Sequence, residues 1–226
     1  MKITFLGQAG FMLNVNGKIV LIDPYLSDNV KNFNPNNYRR VPVDEAFLSA
    51  KPDVIVITHA HLDHYDKETL KHYLKEDSEI IVLSPSSVWQ DVKNYAENNN
   101  YVLFDAYTTA TFFGITFTAV HAEHSDPYAI GVIVSDGKDY YYFTGDTLYN
   151  EKIFQSMTNK KFKAVFLPIN GVGNNMNVVD AEKFVKKLNA KYVVPCHFGL
   201  FDQMTGKELN VKNAIIPEIY KEIKLK

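Results

Sequence analysis

The stretch Thr58-His59-Ala60-His61-Leu62-Asp63-His64 places three imidazoles and a carboxylate directly behind the apolar run Val54-Ile55-Val56-Ile57. Imidazole nitrogen and carboxylate oxygen suit zinc, manganese or iron, whereas calcium and magnesium prefer all-oxygen shells. Along an extended or tightly turned stretch, positions i and i+2 project to the same side, so His59 and His61 can grip one ion together. Asp63 and His64 follow where the chain turns, and they can point at a second ion. Three histidines and an aspartate at this spacing, behind a buried strand, read as a metal site rather than a histidine-rich surface loop.

The elements that position them follow from periodicity and turn chemistry. Residues 3–6, 10–15 and 18–22 read as three strands, with Asn16-Gly17 as a two-residue hairpin turn. A long polar loop runs from Asp23-Pro24 to about Val43, and residues 44–50 hold a short helix before the 54–57 strand. Asp66 caps a helix over 67–76. A strand over 79–83, a helix over 85–97, and strands over 101–104 and 111–120 come next. Residues 128–135 and 139–143 form a hairpin across Asp136-Gly137, followed by a strand over 164–167. A helix over 178–188 starts at Asn177, a strand covers 192–195, and the segment 207–223 is expected to be largely helical with a kink at Pro217. No repeat, low-complexity tract or linker interrupts the chain, so residues 1–226 are read as one domain. Many strands with helices interleaved after them fit two packed sheets with helices outside better than one doubly wound sheet.

Other metal-capable residues also stand just beyond apolar runs. His121 and His124 follow the 115–120 strand, Asp146 follows Tyr140-Tyr141-Tyr142-Phe143, and His197 follows Val193-Val194-Pro195-Cys196. His72 falls inside a helix and reads as structural. Cys196, a strand neighbour of His197, should point to the opposite face and into the core.

Bulk composition excludes several classes. A chain of 226 residues with 46% hydrophobic and 22% charged content is ordinary for a globular protein. The formal net charge of −2 makes no electrostatic case for nucleic acid or an anionic membrane as partner. No run is long enough to span a bilayer, and Met1-Lys2-Ile3-Thr4-Phe5 reads as a strand rather than a signal peptide. The single cysteine fits a reducing compartment, so a cytoplasmic location is expected. Nothing in the sequence separates a homo-oligomer interface from core, and both a monomer and a homo-oligomer remain open.

The series H-x-H-x-D-H, a later His, Gly145-Asp146-Thr147 and a final strand-end His resembles the metallo-β-lactamase superfamily of hydrolases over most of the chain. Three further stretches resemble its L-ascorbate-6-phosphate lactonase-like branch. They are Leu21-Ile22-Asp23-Pro24-Tyr25-Leu26, Asn37-Tyr38-Arg39-Arg40-Val41-Pro42 and Asn189-Ala190-Lys191-Tyr192-Val193-Val194-Pro195-Cys196-His197. The resemblance implies an α+β fold, a four-layer αββα sandwich with a dinuclear site at one edge. It implies that His59, His61 and a later His hold a first metal. It further implies that Asp63, His64 and His197 hold a second, and that Asp146 bridges both. The family pattern sets the later His immediately before Ser, which His124-Ser125 matches and His121-Ala122 does not; His121 is then a residue that orients a ligand. Gln8 stands where many relatives have a histidine. Because that position is not a metal ligand in the family, the departure is expected to matter little. The short loop after Pro168-Ile169-Asn170-Gly171, and the absence of the lactonases' N-terminal extension, affect the pocket rather than the metals.

Two divalent metals, zinc or manganese with iron as a third option, would acidify a bridging water to hydroxide near neutral pH. Asp63 is the expected catalytic group, orienting that water and shuttling its proton. The expected reaction is metal-dependent hydrolysis of a lactone or ester in a small anionic metabolite, phosphorylated or carboxylated. The only two arginines, Arg39 and Arg40, are adjacent, and a planar guanidinium suits capture of such an anion. Asn170, with Asn175 or Asn177 beyond it, can supply neutral hydrogen bonds to a polyol. A phosphodiesterase or nuclease of the same fold is the alternative, but it would need a basic track. A non-catalytic metal-binding protein is a further one, and it would need a closed site.

Overall fold

The run Val54-Ile55-Val56-Ile57 lacks polar alternation because it is buried on both faces. Val54 and Val56 face one apolar cluster, Ile55 and Ile57 another. The computed structural model describes residues 1–157 and 160–225. The first sheet contains β1 (Lys2–Gly7), β2 (Gly10–Val15), β3 (Lys18–Ile22), β4 (Val54–Val56), β5 (Ile81–Ser84) and β6 (Asn100–Leu103). The second contains β7 (Thr109–Phe112), β8 (Ile115–His121), β9 (Ile130–Ser135), β10 (Tyr140–Phe143), β11 (Phe162–Pro168) and β12 (Tyr192–Cys196). A last short strand, β13 (Glu222–Ile223), returns to the first sheet. The strand orders are β13-β1-β2-β3-β4-β5-β6 and β12-β11-β10-β9-β8-β7. Strands β3 to β6 are mutually parallel, as are β10 to β12. Neighbouring carboxyl ends therefore lie along one edge of each sheet.

The helices are α1 (Val30–Phe33), α2 (Glu45–Leu48), α3 (Lys67–Tyr73), α4 (Ser86–Val92) and α5 (Val178–Leu188), with a 3-10 turn at Glu151–Met157. Phe5, Phe11 and Leu13 of the first sheet pack against Phe117, Val132, Phe143 and Phe166 of the second. Phe143 and Phe166 stack with centroids 4.2 Å apart. On the outer face of the first sheet, Leu70 and Tyr73 of α3 and Val88 and Val92 of α4 cover Leu21, Ile55 and Val82. On the outer face of the second, Ala181, Phe184 and Val185 of α5 cover Val165 and Leu167. These four layers form an αββα sandwich. Cys196 lies in the inter-sheet core, where burial pushes its thiol pKa up.

Helix α5 has the bounds its sequence implies: Asn177 accepts from Asp180 N, and Asn189 ends it in a left-handed conformation at φ 54°. Helices α3 and α4 stop at Tyr73 and Val92, short of 76 and 97. Past these ends, Ser78 Oγ donates to Lys75 O and Asn94 Nδ2 to Gln90 O, side-chain bonds that compete with further helix.

The expected C-terminal helix is absent. Residues 207–221 run as turns and irregular chain, with isolated turn bonds of their own such as Ala214 N to Val211 O, and key backbone groups bond to the sheets. Ile215 N donates to Val193 O, Val193 N to Asn213 O, Tyr220 N to Phe5 O and Phe5 N to Lys221 O. Strands β12 and β1 would otherwise expose open edges, and pairing them with the tail outweighs the tail's own helical pattern. Among the described residues, no helix is long and apolar enough to cross a membrane.

Candidate metal centre

Each functional side chain sits where a strand ends. Asp23 follows β3, residues 58–64 follow β4, His124 follows β8, Asp146 follows β10, Asn170 follows β11 and His197 follows β12. After Thr58 the chain tightens into a turn in which His64 N and Tyr65 N both donate to His61 O. Asp126 Oδ2 anchors this loop by accepting from Ala60 N and Ser87 Oγ. Gly145 lets Asp146 approach: its φ is 60°, and a Cβ there would stand 2.7 Å from Ile130 O and 3.1 Å from Thr58 Cβ. Only glycine fits both the backbone conformation and the contact.

The turns bring seven side chains together. Ligand atoms of His59, His61, His124 and Asp146 lie within 4.8 Å of one another, as do those of Asp63, His64 and His197. Asp146 links the two groups, with Oδ1 3.2 Å from His64 Nε2 and Oδ2 3.2 Å from His197 Nε2. His197 Nε2 is also 3.2 Å from Asp63 Oδ2. His121 stays outside, its Nε2 3.8 Å from Glu123 Oε2, whereas His124 Nε2 reaches within 3.2 Å of His61 Nδ1.

The surrounding hydrogen bonds dictate which nitrogen each ring presents. His64 Nδ1 donates to Asp23 Oδ2 at 2.8 Å. Thr58 Oγ1 donates to the same carboxylate atom at 2.6 Å, so its lone pair is open to His59 Nδ1–H at 3.0 Å. His124 Nδ1 lies 3.2 Å from the Asn174 carbonyl, which can only accept. His61 Nε2 lies 3.3 Å from Ser125 Oγ. The nitrogens left facing the centre are thus Nε2 of His59, His64 and His124 and Nδ1 of His61.

Buried atoms without partners test whether a cation fits here. Among the described residues only a few buried side-chain polar atoms lack a hydrogen bond, and His59 Nε2, His64 Nε2 and Asp146 Oδ1 are three of them. Although His64 Nε2 and Asp146 Oδ1 are near one another, their geometry makes no hydrogen bond. Buried polar atoms are rarely left unpaired without a reason. Three buried polar atoms without partners, converging from separate loops, fit divalent cations held by nitrogen and oxygen once the rings are deprotonated.

Electrostatics follow the same geometry. Burial by itself lowers the pKa of His59, and the neighbouring His64 lowers it further, so the ring is neutral. For His64, burial is outweighed by Asp146, Asp23 and Asp63, and the pKa rises well above the usual range. For His197, burial is outweighed by Asp146 and Asp63, which push the pKa up to about 10. Burial would raise the carboxyl pKa values of Asp63 and Asp146, but His64 and His197 hold both below the ordinary carboxylate range.

The centre opens into a cleft of about 280 Å³. Its wall combines Val30, Val172 and Phe201 with the amides of Gln8, Asn37, Asn170 and Asn175. Asn170 has the cleft position expected of it, and its side-chain amide also lies 2.9 Å from His197 Nδ1. Asn175 Nδ2 donates to Asp146 Oδ2 at 2.9 Å, so it steadies a carboxylate.

The arginine pair is split. Arg39 is buried away from the cleft, donating from Nη1 to Tyr25 O, from Nη2 to Tyr220 Oη and from Nε to Val41 O. Those bonds tie the long loop to the C-terminal tail, and no free fork is left for a substrate. Arg40 is exposed at the rim, bonded to Tyr38 Oη and to the carbonyl of Phe201, a cleft residue.

Sequence reasoning alone undervalued Gln8. Its side chain is inside the centre, with Nε2 2.8 Å from Asp63 Oδ2 and 3.2 Å from both ring nitrogens of His197. Thr58 and Asn174 were not read as supporting residues either. Thr58 at least neighbours His59 in the chain, whereas Asn174 is far from every candidate ligand in sequence and only the folded contacts reveal it.

Known proteins share this architecture. The chain is 29% identical over 232 residues to a UPF0173 metal-dependent hydrolase of Methanosarcina mazei, across 95% of this chain and 90% of the relative. Its fold is similar to the crystal structure of isothiocyanate hydrolase from Delia radicum gut bacteria, at TM-score 0.76, 20% identity and coverage of 99% and 98% of the two chains. It is similar also to YhfI, a metallo-beta-lactamase fold protein from Bacillus subtilis, at TM-score 0.73, 15% identity and 99% coverage of both. Residues 18–198, from β3 to just past β12, match the family described as the Beta-lactamase superfamily domain, and the chain belongs to that family.

Proposed function

We propose that the protein is a metal-dependent hydrolase that opens a lactone or cleaves an ester in a small metabolite bearing a phosphate or carboxylate. The convergence of the orphaned His59 Nε2, His64 Nε2 and Asp146 Oδ1 carries this reading, and the hydrolase names of its relatives agree with it. His59, His61, His124 and Asp146 would hold one cation, and Asp63, His64, His197 and Asp146 the other. When bound, the cations supply Lewis-acid polarisation of the scissile carbonyl and an acidified water as nucleophile.

The chain's own residues do the rest. No serine, threonine or cysteine lines the cleft among the described residues, so water is the attacking group. Asp63 is the more open of the two carboxylates, its side chain 15% exposed against 4% for Asp146. It is placed to take the proton from the attacking water and deliver it to the leaving oxygen. Val30, Val172 and Phe201 give the cleft an apolar wall against which the substrate can pack. Among the described residues no lysine or arginine lines the cleft, so the substrate anion is met at the rim. There Arg40 has two of its five N–H groups bonded to protein. The resemblance to the ascorbate-6-phosphate lactonase-like branch supports an anionic sugar lactone.

Stripped protein reloaded with zinc, manganese or iron should turn over phosphorylated or carboxylated lactones and esters, and lose that activity to a chelator. The Arg40→Ala protein should keep its metal content and show a raised KM for anionic substrates only. Cleavage of bis-(p-nitrophenyl) phosphate without turnover of any lactone or ester would replace this reading with a phosphodiesterase.

A further inference from the structure

Gln8 stands in the turn between β1 and β2 with its backbone at φ 53°, a left-handed conformation that a non-glycine residue enters at a cost. It is 2% exposed. Its carbonyl accepts from His197 N at 2.6 Å, and His197 is itself left-handed at φ 57°. Two strained residues from opposite sheets are therefore clamped backbone to backbone. The Gln8 amide reaches back across the same junction to Asp63 Oδ2 and the His197 ring.

Among the described residues, no other side-chain amide touches two of the candidate ligands. Asn170 meets only His197, and Asn175 meets only Asp146. Both Gln8 partners belong to the Asp63, His64 and His197 group, and no hydrogen bond joins Gln8 to His59, His61 or His124. The chemistry suits the place. A neutral donor can tether Asp63 without the charge by which lysine or arginine would repel a cation. The opposite group has its own supports, since Thr58, Ser125 and Asn174 orient His59, His61 and His124.

We infer that Gln8 is a positioning residue for the second cation subsite, its amide holding Asp63 and His197 at ligating distance while its backbone locks the two sheets at that point. The inference rests on the two-cation reading given above. It makes the two subsites separable: one depends on the β1–β2 turn, and the other does not.

The test is stepwise cobalt titration of metal-free protein, followed by d–d absorption and by competition with a zinc chelator. Gln8→Met keeps the bulk and removes the donor. Gln8→Gly removes the side chain and relieves the left-handed backbone, so it should fold even where Gln8→Met does not. Both variants should bind the first equivalent as the wild type does and bind the second about 10–100-fold more weakly. The absorption of the second equivalent should also change. A second equivalent bound by Gln8→Gly within about twofold of wild type, with the same spectrum, would overturn the role of Gln8. Uptake of only one equivalent by the wild type would overturn the two-cation reading beneath it.

Discussion

Asp23 Oδ2 accepts from His64 Nδ1 at 2.8 Å, and that contact turns the opposite ring nitrogen toward Asp146. The same carboxylate accepts from Thr58 N at 2.8 Å and Thr58 Oγ1 at 2.6 Å, so it orients His59 through the threonine. Asp23→Ala would leave these donors buried and unpaired, at about 1–3 kcal/mol for each. Urea denaturation should show a loss on the order of 3 kcal/mol or more. Asp23→Asn suits the left-handed backbone at φ 42° and keeps an acceptor, so it should fold and bind metal about 10–100-fold more weakly. Wild-type metal affinity in Asp23→Asn would show that the carboxylate does not govern the ring.

Cation uptake should be coupled to proton release. In the cation-free protein His64 and His197 are charged near neutral pH, because the surrounding carboxylates outweigh burial. A ring must shed its proton from the ligating nitrogen to bind a cation, so loading at pH 7–8 should expel about two protons. Calorimetry in buffers of different ionisation enthalpy measures this directly, and a release of zero would refute the charge assignment. The folded pKa of His197, about 10, exceeds its ordinary 6.5. Its contribution to the cation-free fold is therefore fully present below pH 6.5 and is lost as pH rises toward 10. The Tm of the cation-free protein should fall across that window more steeply than that of the loaded form.

Gly145→Ala should damage the centre without altering a ligand. The new methyl meets Ile130 O at 2.7 Å in a left-handed backbone. Strain and overpacking together should cost about 2–4 kcal/mol. Because Asp146 follows immediately, metal stoichiometry should fall as well. An alanine variant with unchanged denaturation midpoint and full metal content would contradict the tight fit.

The two arginines should separate cleanly in denaturation experiments. Arg39→Ala removes the donors to Tyr25 O and Tyr220 Oη and should lower stability by about 2–3 kcal/mol. Arg40→Ala touches only exposed bonds at the rim and should stay within about 0.5 kcal/mol of wild type. Equal losses would mean that Arg39 is not the structural member of the pair.

How much of this was legible in the linear chain depends on how local each signal is. Val54-Ile55-Val56-Ile57 reads as a doubly buried strand and Asn16-Gly17 as a hairpin turn, because neighbouring residues alone produce those patterns. The same holds for Asn177 at the start of α5. The C-terminal tail misled because its residues have helical character, while the open edges of β12 and β1 that capture it are formed by residues far away in the chain.

The sequence by itself determined the donor set. Imidazoles and carboxylates placed just after apolar strands must emerge at strand ends, and their chemistry selects the class of ion. Tertiary structure decided which nitrogen each ring presents, and that Arg39 binds protein while Arg40 faces solvent. It also decided that Gln8 touches Asp63 and His197. Each of these turns on a hydrogen bond between side chains brought together only when the two sheets close on one another, and spacing along a chain carries no record of such partners.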